Sequence, residues 1–176
     1  MAVSETRLLR RGLSEFAPPG QLCVILLMEL VDQINSHKWL YLDRLYEEND
    51  LELCVLIDEA KIPGGELEPV DNATAYGAIV SDDTCKKYKI TFKNYVAYSV
   101  TNETCAGGDG REQFTGTLFR TYAKSQFLDY IASSTGGLIE TLGPYAHYEV
   151  VTLNQIIDVA TTHEPEIEIV PPTVAI

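Results

Sequence analysis

Residues 85–103, CKKYKITFKNYVAYSVTNE, constrain the fold of this chain more than any other stretch. Ile90, Phe92, Val96, Tyr98 and Val100 all occupy even positions, while Thr91, Lys93, Ala97, Ser99 and Thr101 between them are small or polar. Side chains of an extended chain point alternately to opposite faces, so the even set is expected to point together into a core. Alternation with one polar face belongs to antiparallel sheets, which keep one face in water. Asn94 and Tyr95 interrupt the pattern and predict a bend or bulge that keeps the register.

Further strands are expected around this one. Leu51, Leu53, Val55 and Ile57 form a second alternating run. Residues 106–110, AGGDG, read as a turn leading into Phe114–Tyr122, a hairpin partner for the first strand. The segment 147–161, HYEVVTLNQIIDVAT, is apolar on both faces and rich in β-branched residues, which predicts one or two buried strands. Glu166–Val170 reads as a short edge strand after Pro165. His37–Tyr46 suits either a helix or a strand.

Two helices are predicted. Over residues 21–36, Glu29, Asp32 and Ser36 fall on one stripe, and Cys23, Leu27, Leu30, Val31 and Ile34 fall opposite them. That spacing predicts a mostly buried helix with a narrow wet face. Near 125–134, Ser125 is placed as N-cap and Phe127, Leu128 and Ile131 supply an apolar face. Strands outnumber helices and do not alternate with them. The expected class is therefore α+β, a mainly antiparallel sheet that is curved or partly closed into a barrel. A chain of 176 residues can bury one sizeable core. The expected organisation is one domain over 1–176, with an N-terminal arm over 1–18 and a loose tail over 171–176.

The formal net charge of -13 argues against nucleic acid as a partner, because phosphate affinity comes from Lys and Arg. It equally disfavours anionic membranes. The apolar run from Leu22 to Val31 is interrupted by Glu29 and is shorter than the roughly 20 residues a membrane span needs. No apolar stretch of secretory type precedes Pro18 and Pro19, so a cytoplasmic location with reduced thiols is expected. Cys23, Cys54, Cys85 and Cys105 form no CxxC pair, and His37, His147 and His163 fit no zinc spacing. Neither a metal nor a cofactor is expected. AGGDG lacks the Lys and Ser/Thr of a phosphate loop, and no GxSxG elbow occurs.

Charge is unevenly spread. Residues 43–71 hold ten carboxylates against Arg44 and Lys61, whereas residues 86–93 hold four lysines and no acid. One reading makes the acidic stretch a docking face for a basic protein, through Asp43, Glu47, Glu48, Asp50, Glu59, Glu66 and Glu68. The bland reading pairs those acids with Lys86, Lys87, Lys89 and Lys93 at a strand edge. The leading functional expectation is an acidic protein-interaction module. It would act as an inhibitor or immunity-like partner of a basic protein, or as a subunit of an assembly. The alternative is an enzyme of hydrolase type using Glu103 at a strand end, His147 beside Tyr145 and Tyr148, and Asp158 among Ile156, Ile157 and Val159. Asp158 on a buried strand requires a partner, for which Arg111 and Arg120 are candidates. A third reading is a β-rich domain with a tyrosine-lined cavity for a small ligand.

Overall fold

The computed structural model describes residues 19–63, 78–107, 110–135, 141 and 143–171, with the side chains of 19–23 left aside. The predicted arm 1–18, Glu66, Glu68 and the tail beyond 171 lie outside the described residues. Helix α1 (Pro19–Asn35) leads into β1 (Trp39–Asn49), β2 (Glu52–Ala60), β3 (Lys87–Lys93) and β4 (Tyr95–Asn102). A short 3-10 turn over Glu103–Cys105 precedes β5 (Gln113–Thr115), β6 (Phe119–Lys124) and helix α2 (Gln126–Ser134). Strands β7 (Ala146–Val151), β8 (Gln155–Thr161) and β9 (Glu166–Val170) complete the chain.

The strands form two antiparallel sheets, one in the order β1-β2-β3-β9 and one in the order β4-β8-β7-β6-β5. The class is therefore α+β, mostly strand, and the sheets do not close into a barrel. The ambiguous segment 37–46 is strand, paired along its length with β2. Residues 147–161 supply two strands, β7 and β8, joined as a hairpin.

One core lies between the sheets. Leu53, Val55 and Ile57 of β2 and Tyr88, Ile90 and Phe92 of β3 meet Phe119, Val150, Ile157 and Val159 of the second sheet. All ten are apolar or aromatic side chains withdrawn from water. Burial and Glu59 push the Tyr88 phenol up to about 12.

Three sequence expectations are corrected. First, residues 85–103 are not one strand. Asn94 adopts a left-handed φ of 51°, which Asn tolerates better than most residues. There the chain leaves one sheet for the other. A bulge between Tyr95 and Ala97 then adds one residue, so Tyr98 and Val100 again oppose the core residues Val159 and Ile157. The five even side chains are nevertheless not shielded together. Ile90 and Phe92 are buried, but Tyr98 is 39% and Val100 42% exposed, because β4 is an edge strand. Second, Phe114–Tyr122 does not pair with that strand. It folds on itself as the β5–β6 hairpin, turning at Gly116 with φ 94°. Third, α1 is not mostly buried. Ile34 and Val31 near its C-terminal end reach the core, while Val24, Leu26 and Met28 stay exposed.

Asn35, the last residue of α1, fixes the helix to the second sheet. Its Oδ1 accepts from the backbone N–H groups of Thr117, Leu118 and Phe119 at 2.9, 2.8 and 2.9 Å. Its Nδ2 donates to the Phe119 carbonyl at 3.1 Å. The open edge of β1 is satisfied similarly. Leu153 N–H donates to the Leu40 carbonyl, and Asn154 accepts from Leu42 N–H and donates to the Leu42 carbonyl.

Candidate functional site

The outer face of the five-stranded sheet carries the candidate site. Directly opposite residues in an antiparallel pair share a face, so the register defines two rows. One row runs Arg120, Glu149, Asp158, Ser99 across β6, β7, β8 and β4. The next runs Phe114, Tyr122, His147, Ala160, Ala97 across β5, β6, β7, β8 and β4. The small side chains of Ala160 and Ala97 leave room for α2, whose Phe127, Leu128 and Ile131 pack there. The rest of the face stays open as a cavity of about 600 Å³, rimmed by Glu103, Cys105 and Glu112.

His147 is the pivot of this face. Its ring is 1% exposed, stacked on Tyr122 at 4.1 Å between centroids and flanked by Phe127 at 5.1 Å. Nδ1 lies 2.7 Å from the Ser125 hydroxyl, and Nε2 lies 3.0 Å from Asp158 Oδ1. An ionised carboxylate only accepts, so Nε2 donates to Asp158, and in the neutral ring Nδ1 is then the acceptor for the Ser125 O–H. Ser125 Oγ in turn accepts from Leu128 N–H at 3.1 Å as the N-cap of α2. A continuous chain of hydrogen bonds thus runs from the helix cap through the imidazole to a carboxylate in the cavity wall. The Asp158 side chain is 18% exposed and makes no other hydrogen bond among the described residues.

Beside it sits a second carboxylate with both oxygens held. Glu149 Oε1 receives Arg120 and Oε2 receives the Tyr122 hydroxyl, each at 2.7 Å. Burial pushes the Glu149 carboxyl above its ordinary range, and the neighbouring Asp158 charge pushes the same way; the Tyr122 and Arg120 contacts pull it back. Burial and Glu149 both drive the Tyr122 phenol upward. The Arg120 guanidinium also donates to the Thr117 carbonyl and lies 4.5 Å over the Phe114 ring.

All three candidates of the enzyme reading line this one cavity. Glu103 is exposed, in the 3-10 turn that follows β4. The partner of Asp158 is His147; Arg120 pairs with Glu149 instead. By sequence Ser125 is a helix cap alone, and Glu112, Tyr122 and Glu149 match no site pattern. The usable signal was period two on successive strands: Arg120 and Tyr122, His147 and Glu149, Asp158 and Ala160.

The acidic stretch behaves differently. Glu48 pairs with Lys89 at 2.6 Å and Asp58 with Lys87 at 2.9 Å. Glu47 accepts from the Tyr95 hydroxyl, and Glu59 accepts from Lys86 N–H and lies 3.4 Å from His37. Asp43 and Asp50 are exposed. Among the described residues, no cluster of three or more His, Cys, Asp or Glu side chains is arranged to hold a metal ion. No helix among them is long and apolar enough to cross a membrane.

Fold and cavity together define an α+β domain of two packed antiparallel sheets with a polar recess on the outer face of the larger one. No protein-family model matches the chain, and neither a curated protein nor a solved structure matches it.

Proposed function

We propose that the recess on the five-stranded sheet is a small-molecule site of hydrolase type, with Asp158 as its general base. The observation that carries this reading is the buried chain Ser125–His147–Asp158, which ends on a carboxylate facing a cavity of about 600 Å³. Such a chain fixes the rotamer of Asp158 and leaves Oδ2 to take a proton from a water molecule. His147 acts as a positioning residue, since both ring nitrogens are already engaged. Arg120, fixed by Glu149, keeps further N–H groups for an oxygen on the substrate. The carboxylates of Glu103, Glu112 and Asp158 favour a neutral or cationic polar substrate over an anionic one.

The docking reading draws less support, because Glu47, Glu48 and Glu59 have intramolecular partners. A panel of chromogenic carboxylic esters, glycosides and phosphate esters tests the proposal. The purified chain is expected to hydrolyse one neutral class, and Asp158→Asn to lower kcat by about 10²-fold or more with an unchanged circular dichroism spectrum. Failure on every class, or an Asp158→Asn enzyme of wild-type kcat, refutes it.

A further inference from the structure

We infer that two copies of this chain pair edge to edge through β4, antiparallel, about a two-fold axis perpendicular to the five-stranded sheet. An edge strand presents a row of unpaired N–H and C=O groups, and proteins ordinarily protect such rows. Among the described residues, three of the four sheet edges are protected. The β1 edge is met by Leu153 and Asn154 from the β7–β8 turn. The β9 edge carries Glu166 and Glu168, and the β5 edge is three residues long. The fourth edge is β4, Tyr95–Asn102, which pairs with β8 on one side and with no strand on the other among the described residues.

β4 differs in chemistry as well as in position. Its eight residues, YVAYSVTN, include no charge, although the chain carries a net charge of -13. Two copies of most other surfaces would bring carboxylates together. Two copies of β4 bring none together, and each supplies the extended backbone that the other lacks. A strand of this length spans roughly 26 Å, enough for several ladder bonds. Tyr98 and Val100, both about two-fifths exposed, would each be covered on the core side of the joint.

The outer side of the joint is prepared too. A groove of about 480 Å³ runs between β4 and α2, lined by Val96, Ala97, Phe127, Tyr130 and Ile131 among others. Tyr130, at its rim, is 66% exposed. A two-fold axis perpendicular to the sheet keeps both α2 helices on the same face, so each copy's Tyr130 approaches the other's groove. Aromatic residues of this kind are enriched at protein interfaces. The pairing continues one sheet across two chains and leaves the Asp158 recess open on each.

Sedimentation equilibrium of the full chain, from about 1 to 100 μM, provides the test, because self-association is concentration-dependent. The wild type is expected to reach twice the 19.5 kDa chain mass. Tyr98→Lys and Val100→Lys, both at exposed positions, are expected to hold it at one chain mass with an unchanged circular dichroism spectrum. Leu26→Lys, on the exposed face of α1, is expected to leave the dimer intact. A wild type that stays monomeric throughout overturns the inference. So does a dimer that survives both β4 changes or is split by Leu26→Lys, and so does a β4 edge occupied by a different protein in the purified material.

Discussion

Asn35→Ala tests how the helix and the second sheet are joined. One side chain holds four backbone groups of the Thr117–Phe119 segment, across more than 80 residues of sequence. Thr117 is exposed, so water replaces its bond in the variant. Leu118 N–H and both backbone groups of Phe119 are at best partly reached by water, and Phe119 is 2% exposed. Three bonds at about 0.5–1.5 kcal/mol each give a loss of about 2–4 kcal/mol. For a chain of this size that lowers Tm by roughly 5–15 °C. Urea unfolding followed by tyrosine and tryptophan fluorescence is the assay, and the midpoint should fall with little change in slope. Asn35→Asp keeps the acceptor for the three N–H groups but sets an oxygen against the Phe119 carbonyl, so an intermediate loss is expected. An Asn35→Ala midpoint within about 0.5 kcal/mol of wild type refutes the reasoning, because it means these amides are satisfied elsewhere.

Other perturbations address the turn, the helix cap and the surface charges. Gly116→Ala sets a Cβ 2.0 Å from the Phe119 carbonyl oxygen at φ 94°, and a loss above about 2 kcal/mol is expected by the same urea assay. Ser125→Ala removes the α2 cap and the partner of His147 Nδ1; a loss of about 2–4 kcal/mol follows, and Ser125→Thr should recover most of it. Hydrogen bonds from Thr84 and Lys61 hold the Asp82 carboxyl well below its ordinary range, and Lys89 lowers Glu48. A depressed carboxyl contributes stability above its unfolded pKa and loses it as pH falls through the folded value. The deficit of Asp82→Asn against wild type should therefore be full at pH 7 and close as pH drops below about 4, as read from thermal midpoints across pH.

How far the fold could be read depends on which rule each segment obeys. Period-two alternation identified β3, and β2 from Leu53 onward, because both strands are core-facing on one side; Leu51 instead falls in the β1–β2 turn with φ 59° and stays exposed. The same rule misjudged the exposure of Tyr98 and Val100. Alternation reports which face a side chain points to, not whether another layer extends far enough to cover it. β4 sits at an edge, so its inward face is only half covered. The α1 stripe picked the right side, since Leu27, Leu30, Val31 and Ile34 are less exposed than Glu29 and Asp32, but overestimated burial, because only the C-terminal turns meet a sheet. The β5–β6 hairpin was hidden by length, since a three-residue strand carries too little alternation to be separated from its neighbour. The Gly116 turn between them lies within a run that reads as continuous.

The candidate site was legible by position and not by partnership. His147 and Asp158 could each be singled out as a polar group within an apolar strand, because a buried polar side chain requires a partner. Which partner it takes is set by register, and register follows from a turn at 152–154 that no local rule located. The hairpin places Glu149 directly opposite Asp158, two carboxylates side by side, an arrangement that costs energy unless each is drawn off by another group. Here the two are drawn to opposite sides, Glu149 to Arg120 and Tyr122 and Asp158 to His147. A single row of the sheet thus holds one carboxyl raised by burial beside another whose free oxygen faces the cavity. Glu149→Gln is the change that separates the two roles: it removes the repulsion at Asp158, and because a raised carboxyl costs stability as pH climbs from the ordinary value of 4.5 through its folded value, the variant should gain on wild type as pH rises above 4.5. A variant that instead loses ground over that range in paired urea titrations would mean that the Arg120 and Tyr122 contacts outweigh the burial of the charge.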